Sequence, residues 1–447
     1  MKRSVAGCEL LHLFHGRMVK FLIIISVLVC SINAYAVTNN LPDCSQTTVQ
    51  NAINSSSDGD VLVCPAGSWS WSNVDITKNI TLQGAGIGNT NISITTNMGL
   101  ESPASYTGAF RVTGFTFIAT ANFGNYDGAM LYIRNGHDFR IDHNEFQIYS
   151  TSGSGTGGGG IHVKNDSAGL IDHNRFIGGG GGSCPHAAIM YSNSGTTNTA
   201  GDAQEYSWLN YNCNDLLGSS AHTLFVEDNY FYNQYSCDSH NAHAMYGRHG
   251  GVTVFRHNEI HQMNFDQHGY RAEHAGYCAE VSNNQWIQDV PGVSLYAMIV
   301  IRGGTGVIYG NTRSGSGALT YGIYYWYERA TSAGSSSVNS YVPGYGEVAA
   351  NTACDSTEGY PCAEQPGRGQ NNSLDPIYAW GNTNLPSTHI VPSESWIQSG
   401  RDYFTNQGAK PGYVPYTYPH PLITGEPEPP PPPGNLIPNP PSITRVN

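Results

Sequence analysis

The sequence is short of charge. Only 12% of its 447 residues are Asp, Glu, Lys or Arg, and 20 basic residues face 33 acidic ones, for a formal net charge of −13. A balance of that sign excludes nucleic acid as the main partner, because phosphate binding needs a basic surface. It leaves room for a local cationic track that opposes the global sign. Long hydrophobic runs are missing too. The run Phe21–Val29 is too short to span a bilayer, so no membrane span is expected in the mature chain. No C-x-x-C pair occurs among the ten cysteines, which argues against a zinc site, and no metal ligands are assigned. What is abundant is turn and strand material, with 53 Gly and 28 Tyr. Such a composition disfavours long helices and favours short strands joined by tight turns.

The segment "MVKFLIIISVLVCSINAYA" has a basic start at Lys20, an apolar run, and small residues at Ala34 and Ala36. It reads as a secretory leader over residues 1–36, cleaved after Ala36, with residues 1–17 as an upstream extension and Met18 as the true start. The expected location is secreted or extracellular, with periplasm and cell surface as variants. Setting aside Cys8 and Cys30 leaves eight cysteines, an even number that suggests disulfides in an exported protein. Proximity suggests Cys44 with Cys64, Cys184 with Cys213, Cys237 with Cys278, and Cys354 with Cys362.

Internal repetition is the strongest signal. "RIDHNEF", "LIDHNRF", "FVEDNYF", "VFRHNEI", "VSNNQW" and "VIYGNT" share an apolar strand residue, then Asn, then an aromatic or apolar residue one step on. The Asn residues are 144, 174, 229, 258, 284 and 311, and "RVTGFTF" fits one step earlier with Phe115 in the Asn slot. A repeat just under thirty residues suits one coil of three short strands. Asn tolerates a left-handed turn and can bond the Asn above and below it. The 55-residue gap between Asn174 and Asn229 holds two repeats, or one with a long insertion.

With its opening "VQNAINSSSDGDVLVCPAGSWSW…ITKNITLQGAG", the chain resembles the pectate-lyase-like, right-handed parallel β-helix superfamily over roughly residues 47–311. The resemblance implies an all-β, single-stranded right-handed parallel β-helix of about eight to ten coils. It also implies a short N-terminal helical cap, here Thr48–Ser55, and an extended C-terminal tail. The β-helix domain is placed at 37–425, with loop insertions at 178–222 and 313–376. Residues 426–447 are a Pro-rich linker or disordered end.

Alternation within "AMLYIR", "IHVK", "AMYGR" and "MIVIR" turns Leu131, Ile161, Met245 and Ile299 inward. It turns Tyr132, His162 and Tyr246 outward, together with Arg134, Lys164, Arg248 and Arg302. Stacked coils would align these four bases in one column on the first strand. Like charges in such a column repel, and a polyanionic ligand would relieve them. The plainer alternative is solvated bases paired with neighbouring acids. Arg134, Lys164, His162, Tyr246 and Tyr132 are the candidate substrate-binding residues.

One stretch, "VTVFRHNEIHQMNFDQHGYRAEHAGYCAEVSNNQW", is rich in histidine and breaks the repeat. Its ends are ordinary rungs, but "FDQHGYRAEH" is not. Read as a first strand, "FDQHGYR" puts Asp266, His268 and Tyr270 on one face beside the column. A His oriented by a carboxylate can act as general base, Tyr270 can act as acid or base partner, and Arg248 and Arg302 can neutralise a uronate carboxylate. The same residues resemble the Asp-x-His motif of mannuronan C5-epimerases and related alginate lyases. That resemblance implies catalytic roles for Asp266 and His268. The family motif has Pro between them and an acid after, where this chain has Gln267 and Gly269.

The expected function is therefore a secreted, polysaccharide-active enzyme acting as a lyase or C5-epimerase on an anionic glycan, as a monomer. Two alternatives stand beside it: a non-catalytic adhesin or tailspike-like binder, and a glycoside hydrolase on the same fold. His268-Gly269 matches the H-G dipeptide of polygalacturonases, but their N-T-D and D-D partners are missing. In pectate lyases an Arg acts as base with Ca2+ held by acids, so Ca2+ stays open as a cofactor. "CDSHNAHAMYGRHG" offers His240 and His243 for a metal, at a spacing unsuited to one strand face. His143, His173 and His257 precede the ladder Asn and read as scaffold. Tyr324, Tyr325, Trp326 and Tyr327 suit either sugar stacking or packing beneath a C-terminal cap.

Overall fold

A computed structural model describes residues 36–423 apart from 121–122, 124–127, 149–158, 179–186, 193–210, 234–241, 269–274, 291, 327–339, 343–345, 349–364, 371–372, 386–389 and 394–396. The leader, Cys184, Cys237, Cys354, Cys362, His240, Tyr270, Tyr327 and the Pro-rich end thus lie outside the described residues.

One coil sets the plan. Ala129–Arg134 leads into His137–Asp142, then Glu145–Ile148, and Gly159–Lys164 begins the next turn on top of Ala129–Arg134. Repetition builds three sheets in which every pairing is parallel. We call them sheet 1 (ten strands, with Ala129–Arg134), sheet 2 (twelve, with His137–Asp142) and sheet 3 (nine, with Glu145–Ile148). This is the expected parallel β-helix.

Burial drives the coil. In sheet 3, Phe117, Phe146, Phe176 and Phe231 stack at 5.3, 5.0 and 4.9 Å between successive ring centroids. The expected cap is a helix at Gln46–Ser55, capped by the Ser45 hydroxyl, with Val49, Ala52 and Ile53 buried. The Cys44–Cys64 disulfide lies beside it, as proximity suggested.

The asparagine ladder is present and its geometry corrects one expectation. The backbone N–H of Phe115 donates to the Asn144 side-chain carbonyl at 3.0 Å, and the chain of bonds continues through Asn174, Asn229, Asn258, Asn284 and Asn311. A seventh rung, Asn382, extends it. The left-handed residue is not the ladder Asn but the one before it: His143, His173, Asp228, His257 and Asn283 all have φ between 53° and 58°. Asn is needed for its amide, which donates to backbone carbonyls in its own coil and the coil before, such as Asn174 to Asp172 and Ile141. The histidines at this slot are scaffold, with His143 and His173 stacked at 5.0 Å.

Two further corrections concern connections. Cys213 pairs with Cys278, across 65 residues, and with neither Cys184 nor Cys237 as partner. Sequence proximity misleads because a short helix at Cys213–Leu217 folds back against sheet 2 in the coil of Cys278. The stretch 178–222 is also more than loop: Ala187–Ser192 is a full rung of sheet 1. The long excursion follows this sheet 1 strand. The same holds for the second insertion, which contains the sheet 1 strand Leu319–Tyr325 before the chain returns to sheet 2 at Ile377–Trp380.

The tail runs back along sheet 2. Lys410 meets Asp375 and Thr305, Tyr413 meets Tyr309 and Glu280, the Tyr416 and Thr417 carbonyls accept from Arg256, and the Leu422 carbonyl accepts from Arg140. This agrees with extended chain along the helix flank. It also closes over the outward charges of sheet 2, which pair among themselves: Arg111 with Asp142, Arg140 with Asp172, and Arg256 with Glu227. Their partners hold Asp142 well below the usual carboxylate range, against its burial.

Candidate functional site

With sheet 2 covered by the tail, the outer face of sheet 1 carries a dense set of ionisable groups that includes the expected site residues. Its register aligns Tyr132, His162, Met190, Tyr246, Asp266, Val300 and Tyr324 in one row. Two residues on, Arg134, Lys164, Ser192 and Arg248 form a second row. The ladder extends it: the His268 N–H donates to the Gly247 carbonyl, the Arg302 N–H to that of Gln267, and the Trp326 N–H to that of Ile301. The expected basic column therefore exists, with Ser192 and His268 interposed and Trp326 at its end.

The column is not uniformly bare charge. Arg134 faces Glu101 at 3.2 Å. Arg302 holds Asp266 in a two-pronged pair, Nε to Oδ1 at 3.1 Å and Nη2 to Oδ2 at 2.7 Å. Asp266 is fully buried and Arg302 nearly so. Lys164 and Arg248 lie near ring faces, of Tyr132 at 5.8 Å and Tyr246 at 6.0 Å. The acid–base balance of the face thus combines compensated cations with aromatic shelves.

Around His268 the groups converge. It is half-buried and stacks on Tyr246 at 4.4 Å between ring centroids and 28° between planes. Tyr246 also packs against His243 at 4.9 Å. His243 Nδ1 meets the Asn264 side-chain carbonyl at 2.6 Å and lies 3.8 Å from Asp266 Oδ2. The strand here is Asn264–Gln267, shorter than the expected "FDQHGYR", so His268 sits just past its end. Gln267 replaces an aliphatic inward residue and donates to the Gly276 carbonyl at 2.6 Å, while Arg248 bridges Ala275. These contacts pin the chain where it returns after residues 269–274.

The structure brings together Arg248, Asp266, His268, Arg302 and Tyr246, with His162 and Lys164 two coils from Arg248 on the same face and Tyr132 and Arg134 three. The sequence offers His243 only as a metal ligand and does not single out Asn264. The alternation places His243 on the inward phase of its strand, but the register shifts between His243 and Met245 and brings it beside Asp266. Asp266, expected to orient His268, is held instead in the pair with Arg302. Of the carboxylates described on this face, Asp266 is paired with Arg302 and Glu101 with Arg134, with Asp75 in register beside Glu101, and no group of three or more His, Cys, Asp or Glu that could hold a metal occurs among the described residues. Nor is any helix among them long and apolar enough to cross a membrane.

No protein-family profile matches the chain, and no curated protein matches it. Among solved structures it is similar to an alginate lyase from Paenibacillus sp. str. FPU-7, at 15% identity and a TM-score of 0.42, over 64% of this chain and 99% of that one. It is similar to a PL6 family polysaccharide lyase from Pseudopedobacter saltans, at 12% identity and a TM-score of 0.43, over 83% and 91%. The A-module of a mannuronan C-5 epimerase from Azotobacter vinelandii matches at 12% identity and a TM-score of 0.30, over 62% and 85%.

Proposed function

We propose that this protein is an exported enzyme that removes the C5 proton of a uronate in an anionic polysaccharide laid along sheet 1, as a lyase or C5-epimerase. The observation that carries the reading is the in-register row Arg134, Lys164, Ser192, Arg248, His268, Arg302, with an imidazole set among the cations. Coils repeat at about 4.8 Å, close to the length of one pyranose residue, so a glycan along the helix axis meets one rung per sugar.

In this reading Arg248 binds the uronate carboxylate and draws charge from the ring, which acidifies the C5–H bond. The His268 imidazole takes that proton. The electron pair enters the carboxylate as an enediolate held by Arg248. In elimination it then forms the C4–C5 double bond as the C4–O bond breaks, and the leaving oxygen takes a proton from the imidazolium or from a tyrosine, Tyr246 or Tyr270. In epimerisation a solvent-exchanged proton is delivered to C5 from the face opposite the base, the imidazolium gives its own to solvent, and no bond to oxygen breaks. Asp266 acts as a positioning residue: it fixes Arg302, the next rung beyond His268.

The test is incubation with alginate, polygalacturonate and glycosaminoglycans, following ultraviolet absorbance of unsaturated uronate and uronate epimers by NMR. Product from any of them supports the reading; none from all of them sinks it. A second reading, a non-catalytic glycan binder, is favoured by the carboxylates opposite Arg134 and Arg302, because they supply the plainer explanation of a stacked basic column. Binding without product would select it.

A further inference from the structure

The outer face of sheet 1 changes character at its C-terminal end. Register sets Tyr324 beside Val300, and Tyr321 beside Ala297. Tyr321 and Tyr324 stack at 4.3 Å with planes 6° apart, and Tyr296 stands edge-on to both, at 81° and 86°. Trp326 packs beside Tyr324 at 5.6 Å and carries the Arg302 guanidinium over its ring at 4.2 Å. Tyr296, Tyr321 and Trp326 keep part of their surface in solvent. Burial among these rings pushes the Tyr296 phenol up. Rings outside the coil gain nothing from the interior core.

We infer that Tyr296, Tyr321, Tyr324 and Trp326 form a stacking subsite for one pyranose residue of the glycan whose uronate is held at Arg248 and His268. This rests on the reading that sheet 1 binds an acidic polysaccharide. Three observations select that occupant. The rings are continuous with the charged part of the face, because Arg302 joins Asp266 on one side to Trp326 on the other. The strand Leu319–Tyr325 lies two strand spacings from Asn264–Gln267, about 10 Å, or two sugars along the axis. And clustered phenols offer both a ring face for C–H bonds and hydroxyls for a sugar's own, which suits a pyranose better than an alkyl chain. The subsite reads ring shape and not carboxylate. Its contribution is therefore insensitive to salt, whereas that of the partly exposed Lys164 is screened.

The test is affinity electrophoresis of the full mature chain through gels containing alginate, polygalacturonate or a neutral β-glucan, at low and high salt. Tyr321→Ala with Tyr324→Ala should weaken retardation about tenfold at both salt levels. Lys164→Ala should weaken it mainly at low salt, and Arg248→Ala at both. Tyr321→Phe, which keeps the ring and loses one hydroxyl, should weaken retardation far less than the alanine pair. Single Tyr321→Leu and Trp326→Leu variants, checked by circular dichroism and melting, cover the case in which the double variant fails to fold. Folded leucine variants retarded like wild type, while Arg248→Ala is not, would overturn the subsite and leave the function reading standing. Absence of wild-type retardation in every gel would overturn both.

Discussion

Breaking the Asp266–Arg302 pair gives the sharpest energetic test of the site. Asp266 is 0% exposed and Arg302 6%, and two hydrogen bonds join them. Removing one partner strands the other charge in a low-dielectric setting, which costs about 3–5 kcal/mol. A guanidinium cannot shed its proton, so Asp266→Asn leaves a permanent buried cation. Arg302→Met leaves the carboxylate and also removes the contact over Trp326, worth about 0.5–1 kcal/mol more. Replacing both, as Asp266→Leu with Arg302→Met, removes the desolvation penalty with the pair and should cost less than either single change. The assay is equilibrium urea unfolding followed by tryptophan fluorescence and circular dichroism, in a double-mutant cycle. Single variants that lose less than about 1 kcal/mol, as an exposed pair would, or a double variant whose loss is the sum, would refute the reasoning.

Other expectations follow from the scaffold. Asn229→Ala removes the acceptor for the Asn174 N–H and the donor to Ile171 and Glu227 carbonyls. At about 1–3 kcal/mol per orphaned group, it should lower the melting temperature more than Asn382→Ala at the ladder's end. Peptide mapping without reduction should recover Cys213 joined to Cys278, and Cys213→Ser should cost about 4 kcal/mol by loop-closure entropy; a Cys184–Cys213 peptide would contradict the fold near sheet 2. Burial and Arg256 push the His420 imidazole down from 6.5 to about 4. The unfolded chain therefore takes up a proton that the folded one refuses. Stability from this group is full above pH 6.5, is lost as pH falls toward 4, and totals about 3 kcal/mol. Glu227 beside it, pushed up to about 7 mainly by burial, works in the opposite sense, losing stability as pH rises from 4.5 toward 7. The acid loss in melting temperature should shrink in His420→Gln; an unchanged pH profile would count against the tail's docking.

The fold was legible because an asparagine ladder must repeat in sequence to repeat in space. The rung at Asn382 was hidden because 71 residues separate it from Asn311. The left-handed slot was assigned to the wrong residue, since the sequence marks the Asn strongly while its predecessor varies among His, Asp, Asn and Gly. Disulfide partners were legible only where they are close in sequence, as for Cys44 and Cys64; Cys213 and Cys278 meet through coil stacking, which linear distance does not encode. At the site, strict alternation correctly aligned Arg134, Lys164, Arg248 and Arg302. It failed at His243, where a register shift breaks the period of two. It also could not show that Asp266 is joined to Arg302, because that contact crosses from one coil to the next.

The central claim is that His268 takes a proton from C5 of a uronate on the outer face of sheet 1. Its most direct measurement is NMR of an acidic glycan turned over in deuterated water. The account predicts deuterium at C5 of epimerised residues, or loss of the C5 proton with unsaturated ends, for the wild type, and neither for a folded His268→Gln variant. Chain cleavage with the C5 proton retained, or unchanged exchange in His268→Gln, would contradict it.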